Sequence, residues 1–193
     1  MDLDAWWDVI ETARKLAGDR ADDRGPAGDP LVGHVIDLLA RREPEEIVAF
    51  DRTLAEVTGT AYRYPLWNAA YLIEGGCGDD GFMDFRAGLV LQGRERFTRA
   101  VADPDSLADV PIVVRMARDD DGWIGCEAFN YAADEAYERR TGRADAFQAA
   151  MEAALGERDI PDGPLRAAGE NWDPEDEEET RRRLPRLSAL FLG

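Results

Sequence analysis

The sequence has few of the residues that build metal centres and catalytic dyads. Its 193 residues include one histidine, His34, and two cysteines, Cys77 and Cys126, which form no Cys-x-x-Cys pair. A structural zinc site needs about four Cys or His ligands, and a catalytic nucleophile needs an activating base beside it. Glycine-rich phosphate loops and nucleophile-elbow motifs are also missing. We therefore predict no metal and no cofactor, and the sequence assigns no catalytic residue.

Long apolar runs and a basic leader are missing as well. No stretch approaches the roughly 18 apolar residues of a membrane span. The chain begins Met1-Asp2-Leu3-Asp4, which is unlike the basic start of a signal peptide. We therefore expect a cytoplasmic protein with reduced thiols and without membrane attachment.

Positive charge is scarce. There are 23 basic residues against 41 acidic ones, so the formal net charge is −18. Nucleic-acid binding requires Lys and Arg to displace counterions from phosphates, so general binding of DNA or RNA is excluded. A surface of this charge favours association with a basic protein partner.

What the sequence does contain is helical periodicity. Apolar residues recur at three- and four-residue spacing, beginning with Leu3, Trp6 and Ile10. We predict a mainly α fold, with a single compact domain of about seven to eight helices over residues 1–155. Trp6 and Trp7 are assigned to its core, and residues 80–102 to one continuous helix. Residues 112–124 fit either a helix that starts at Pro111 or a minor β-hairpin.

The C-terminal segment, residues 156–193, has a different composition. Seven acidic residues lie between positions 170 and 179, and Arg181, Arg182 and Arg183 follow. Such a segment is either paired with itself in solvent or an interaction tail. We expect its apolar end to pack back on the helical domain.

The densest group of chemically useful residues lies within residues 66–86, which read as a helix, a glycine-rich turn and a second helix. Asp80 and Asp84 are four residues apart and share one helix face as like charges. Arg86 has no acidic residue three or four positions away. It therefore requires a partner on another element, an anionic group from a ligand or partner, or access to water.

This group is either a structural polar network or a ligand or partner site made of residues on both helices. Its members are Trp67, Tyr71, Asp79, Asp80, Asp84 and Arg86. The three aspartates lack the spacing of a calcium-binding loop, so no metal is assigned to them. Cys77 precedes a helix N-terminus, but acidic neighbours raise the pKa of a thiol and no base is near in sequence. We predict that Cys77 is not catalytic.

The same segment carries a resemblance. Residues 45–51, 66–73 and 75–86, the last reading Gly75-Gly76-Cys77-Gly78-Asp79-Asp80-Gly81 and onward to Arg86, resemble the bacterial family called domain of unknown function 4240. The first seven residues and residues 183–187 also resemble the two ends of that family. The resemblance implies a domain extent of roughly the whole chain, and it implies no activity.

Three classes of function remain open, of which the third is a purely structural domain of a larger assembly. The first is an acidic helical binding module that engages a basic partner protein, as an immunity protein or adaptor does. The alternative is a small-molecule enzyme or accessory factor with a pocket around residues 75–86. The absence of a catalytic constellation favours the binding module, and the sequence does not predict an oligomeric state.

Overall fold

The chain is mainly α-helical in the computed structural model, which describes residues 1–23, 29–155 and 166–193. Within these residues there is no β-strand, and the only bridge of the β type joins Arg63 to Ala168. The helices are α1 (Leu3–Ala17), α2 (Pro30–Leu39), α3 (Pro44–Thr60), α4 (Tyr64–Glu74), α5 (Asp79–Val90), α6 (Arg94–Ala102), α7 (Pro111–Asp119), α8 (Glu127–Asn130), α9 (Ala132–Thr141), α10 (Ala146–Leu155), α11 (Glu177–Arg183) and α12 (Pro185–Phe191). The predicted fold class is therefore confirmed, and the predicted count of seven to eight helices is too low.

The count was too low partly because the predicted helix over 80–102 is two helices. The break lies at Gly93, whose φ of 92° suits glycine and strains other residues. A Cβ there would lie 2.9 Å from Glu11 Oε1 on α1. The same Glu11 oxygen accepts a hydrogen bond from the Arg94 N–H at 2.9 Å. The chain thus turns where α6 begins against α1.

The β-hairpin near 112–124 is wrong, because α7 occupies residues 111–119. Pro111 stands at its first turn, where proline is tolerated because the missing N–H needs no partner. Ile112 and Val113 are both fully buried by this helix. A left-handed Asp120, with φ of 51°, ends it. Burial on one helix face outweighs the β propensity of the Ile-Val-Val run.

Large aromatic side chains fill the centre of the core. Trp6 is fully buried, stacks on Phe50 at 5.2 Å between ring centres, and donates its indole N–H to the Phe50 carbonyl oxygen at 3.0 Å. Trp7 packs edge-on against Trp6 at 4.8 Å. The assignment of both tryptophans to the core is confirmed.

The described part of the C-terminal segment contacts the helical domain at several places. Ala168 exchanges two backbone hydrogen bonds with the α3–α4 junction, and Asn68 Nδ2 donates to the Trp172 carbonyl oxygen at 3.0 Å. The Asp105 carboxylate accepts from the backbone N–H groups of Arg186 and Leu187, so it caps α12. The predicted boundary at residue 156 lies outside the described residues, and the two-part division stays a prediction.

Candidate functional site

The corner between α4 and α5 is built by glycines. α4 ends where Gly75 adopts a left-handed conformation with φ of 67°, and Gly78 occupies the N-cap position of α5. The Trp67 indole N–H donates to the Cys77 carbonyl oxygen at 2.8 Å. This hydrogen bond holds the turn against α4 and fixes the direction in which α5 leaves.

Trp67 and Arg86 meet in one aromatic stack. The Trp67 ring lies 4.8 Å from Phe82 at an interplanar angle of 11°. The Arg86 guanidinium lies 4.9 Å from the centre of Tyr62 and 5.2 Å from Phe82. It donates to the Thr58 carbonyl oxygen at 3.1 Å. Burial lowers the pKa of Arg86, and the Tyr62 hydroxyl acts in the opposite direction.

Arg86 therefore has a partner on another element, which is the first of the three alternatives that its sequence position left open, but this partner is a carbonyl oxygen. Among the described residues no carboxylate forms an ion pair with it, and it lines none of the cavities described below. Its positive charge is satisfied by the Thr58 carbonyl oxygen near the C-terminal end of α3, by the Phe82 carbonyl oxygen on α5 and by two aromatic faces. Carbonyl groups at a helix end carry partial negative charge, so this position suits a cation that supports the fold.

The three predicted aspartates lie at the start of α5. Asp79 and Asp80 are exposed in its first turn, and Asp84 is half-buried. Asn130 Nδ2 on α8 donates to Asp84 Oδ1 at 3.0 Å. Burial is the largest cause that raises the pKa of Asp84, and the negative charges of Glu127 and Asp80 add to it. The like-charge interaction inferred from the spacing of Asp80 and Asp84 is therefore present.

The Cys77 thiol is a poor nucleophile in this setting. Burial raises its pKa to about 12, and the charges of Glu74 and Asp84 contribute. A thiolate is the reactive form of cysteine, so almost none is present at neutral pH. Both cysteines are free thiols.

Beside this corner lies an open groove of about 990 Å³ between α4, α7 and the C-terminal segment. We call it the acidic groove. Its partly exposed apolar side chains include Leu72, Met116, Leu190 and Phe191, and its carboxylates are Glu74, Asp119, Asp120, Glu175 and Glu177. Arg118 is the only basic residue among those that line the groove. It donates to both Asp119 oxygens, at 2.9 and 2.6 Å.

Three aromatic side chains line the acidic groove: Tyr71, Trp123 and Phe191. The Tyr71 hydroxyl donates to Glu175 Oε1 at 3.0 Å, and this hydrogen bond raises the pKa of Tyr71. Trp123 is 37% exposed and folds over Gly125, where an added Cβ would lie 2.8 Å from the indole nitrogen. Glu74 Oε1 accepts from the Gly125 N–H at 3.1 Å. The groove thus has aromatic surface close to fixed carboxylates.

The structure separates the six predicted site residues into three environments. Trp67 and Arg86 are in the aromatic stack, Asp79, Asp80 and Asp84 are at the start of α5, and Tyr71 is in the acidic groove. Sequence reasoning missed Glu74, Trp123 and Glu175 as groove residues. Glu74 directly precedes the Gly75 stop and so had a local signal, whereas Trp123 and Glu175 join the groove only through tertiary contacts.

In the described ranges, no three His, Cys, Asp or Glu side chains are arranged to hold a metal ion. None of their helices combines the length and apolar character needed to cross a bilayer.

Comparison with protein-family models gives one relevant match. The model described as "Protein of unknown function (DUF4240)" matches residues 1–139, which is more than half of the chain. The chain belongs to this family. The predicted resemblance is thereby confirmed over residues 1–139, whereas residues 183–187, the other end of that resemblance, lie beyond the match. The DUF4240 match includes the α4 and α7 walls of the acidic groove, whereas Glu175, Glu177 and Phe191 lie beyond it. Curated proteins and solved structures gave no match.

Proposed function

We propose that this DUF4240 protein is an acidic binding module that engages a basic segment of a partner protein in the acidic groove. One observation carries the proposal: five carboxylates surround partly exposed apolar side chains, and the single arginine among them is already paired with Asp119. A basic segment that also carries an apolar side chain would complement both features.

The groove has the composition of a protein interface rather than of a solvated surface. Interfaces combine an apolar, aromatic centre with a polar rim. Tyr71 and Trp123 supply aromatic surface, Leu72 and Phe191 supply aliphatic and further aromatic surface, and five carboxylates line the same groove. The net charge of −18 would accelerate encounter with a positive partner. This chemistry supports the proposal of an immunity-like or adaptor-like role.

The small-molecule alternative has less support. Of residues 75–86, only Gly75 lines the acidic groove. Arg86, the cation that would have bound an anionic substrate, is occupied by Thr58, Tyr62 and Phe82. We propose a cytoplasmic setting for the binding module, a proposal that the two free thiols support.

The proposal is tested by isothermal titration calorimetry with a synthetic peptide. The peptide alternates Arg and Leu residues and ends in Phe-amide. The double variant Glu74→Gln/Glu175→Gln keeps side-chain oxygens that accept hydrogen bonds from Gly125 and Tyr71 but removes two groove charges. We expect it to weaken binding at least tenfold at 0.15 M salt.

The matched control is Asp8→Asn/Glu138→Gln, which removes two exposed charges outside the groove. Both variants have a net charge of −16, from −18 plus two. We expect the control to bind as the wild type does. Equal weakening by both variants would show that only the net field of the protein attracts the peptide, and the acidic groove would then not be the binding site.

A further inference from the structure

The arginines of this chain differ in how their charges are satisfied. Seven of those in the described residues are half-buried: Arg14, Arg42, Arg63, Arg86, Arg96, Arg115 and Arg183. Five of these form ion pairs with carboxylates. Arg86 is satisfied by carbonyl oxygens and aromatic rings.

Arg63 is the exception in the part of the chain that the structure describes. Its side chain has no ion pair, no hydrogen bond and no ring contact there, although the protein carries 41 acidic residues. Its guanidinium nitrogens are not among the buried atoms that lack a hydrogen bond, so they face solvent and are open to an anionic group. The position is fixed, because Arg63 is the N-cap residue of α4 and its backbone pairs with Ala168.

Arg63 lines a cavity of about 380 Å³ between the end of α3 and one face of α6. Phe97 and Val101 provide apolar surface, and Thr60 and Thr98 provide two hydroxyl groups. The Thr60 hydroxyl donates to the Val57 carbonyl oxygen at 2.6 Å. The Thr98 hydroxyl has no hydrogen bond among the described residues, so it is available to donate to a ligand.

We propose that this cavity binds a small amphiphilic monocarboxylate, with its carboxylate on Arg63 and Thr98 and its apolar body against Phe97 and Val101. A guanidinium matches the two oxygens of a carboxylate in a bidentate geometry. The apolar walls disfavour a strongly hydrated dianion such as phosphate. The volume is near the lower end of the roughly 300–1,000 Å³ typical of ligand pockets, which selects a short aliphatic chain or one aromatic ring.

The negative charge of the whole protein does not prevent such binding. At 0.15 M salt, charges are screened over about 8 Å, so the nearest groups dominate. None of the six residues that line the cavity is acidic. The cavity shares no residue with the acidic groove, so this inference does not depend on the proposed function.

The test uses butanoate, hexanoate and octanoate, with 1-hexanol as the uncharged analogue, titrated into the full chain in 0.15 M salt and followed by amide NMR. We expect saturable shifts at Phe97, Thr98 and Val101. Affinity should rise by up to about fourfold per added CH₂ until the cavity is filled. Hexanol should bind at least tenfold more weakly than hexanoate.

Variants locate the carboxylate. Arg63→Gln should weaken the binding of hexanoate at least tenfold, and Thr98→Val should weaken this binding a few-fold. Arg52→Gln, an exposed arginine on α3, is the control and should leave binding unchanged. No saturable shift at millimolar hexanoate, equal binding of hexanol, or unchanged binding by Arg63→Gln would each overturn the proposal. If Arg63→Gln does not fold, the difference in affinity between hexanoate and hexanol for the wild-type protein still tests whether the cavity recognises a carboxylate.

Discussion

The guanidinium of Arg86 lies 4.9 Å from the centre of the Tyr62 ring and donates to the carbonyl oxygen of Thr58, 28 residues earlier in the chain. These contacts join the end of α3 to the middle of α5. These contacts involve a ring and a neutral carbonyl, and no carboxylate of the described residues forms an ion pair with Arg86.

The first prediction concerns Arg86→Met. Met keeps much of the apolar stem but loses the charged hydrogen bond and the cation–π contact, so we expect a loss of about 1–3 kcal/mol in the free energy of unfolding. Urea denaturation measures this loss. The control is Arg52→Met at an exposed position, which should change the free energy of unfolding by no more than roughly 0.5 kcal/mol. A loss above about 4 kcal/mol would point to a buried carboxylate left unpaired, and no loss would show a fully solvated side chain.

A second prediction concerns the reactivity of Cys77. Because its pKa is raised to about 12, iodoacetamide should alkylate the native protein far more slowly at pH 7.5 than the urea-unfolded protein. Mass spectrometry of the alkylated peptide gives both rates. Cys77→Ser should bind the Arg-Leu peptide within a few-fold of the wild type. Rapid native alkylation, or complete loss of binding with the fold intact, would contradict this.

A third prediction concerns Asp105, whose buried carboxylate accepts from the N–H groups of Arg186 at 3.0 Å and Leu187 at 2.9 Å. Asp105→Ala leaves those donors without a partner and should cost about 1–2 kcal/mol. Hydrogen exchange should accelerate in α12 more than in α1. Because α12 borders the acidic groove, peptide binding should also weaken.

The control for Asp105 is Asp109→Ala. Asp109 forms exposed ion pairs with Arg99 and Arg186, and such pairs contribute little to stability. Hydrogen exchange in α12 should therefore remain near that of the wild type in this variant. Equal exchange in the Asp105 and Asp109 variants would show that the cap does not hold the C-terminal segment.

A fourth prediction is a dependence of stability on pH. Burial, with the nearby charge of Asp134, raises the pKa of Asp51 from 3.8 to about 6. Between these values the folded state binds more protons than the unfolded state, so this group's contribution to stability falls as the pH rises from about 4 to 6. At pH 7 the cost is at most about 3 kcal/mol.

Asp51→Asn should therefore raise the free energy of unfolding at pH 7 and leave it nearly unchanged at pH 4. Denaturation of both proteins at the two pH values measures this difference, and the comparison cancels the contributions of other carboxylates. If the variant is equally stabilised at both pH values, or is destabilised at pH 7, then the pKa of Asp51 is not raised in the folded protein.

The ends of several helices and part of the core could be predicted from short stretches of sequence. Gly18 ends α1, Pro44 opens α3 and Gly75 ends α4, each at the place that its backbone preference indicates. The periodic placement of Trp6 also predicted the core correctly. These features depend on φ preferences and on a 3.6-residue period, which are written within a few neighbouring residues.

Other features of the protein depend on contacts between residues that are far apart in the sequence. The break at Gly93 follows from the approach of Glu11, and the role of Arg86 follows from Thr58 and Tyr62. The acidic groove combines Tyr71 with Glu175, 104 positions later. Such relationships depend on which helices pack together, and packing is set by the summed burial of many side chains rather than by any short motif.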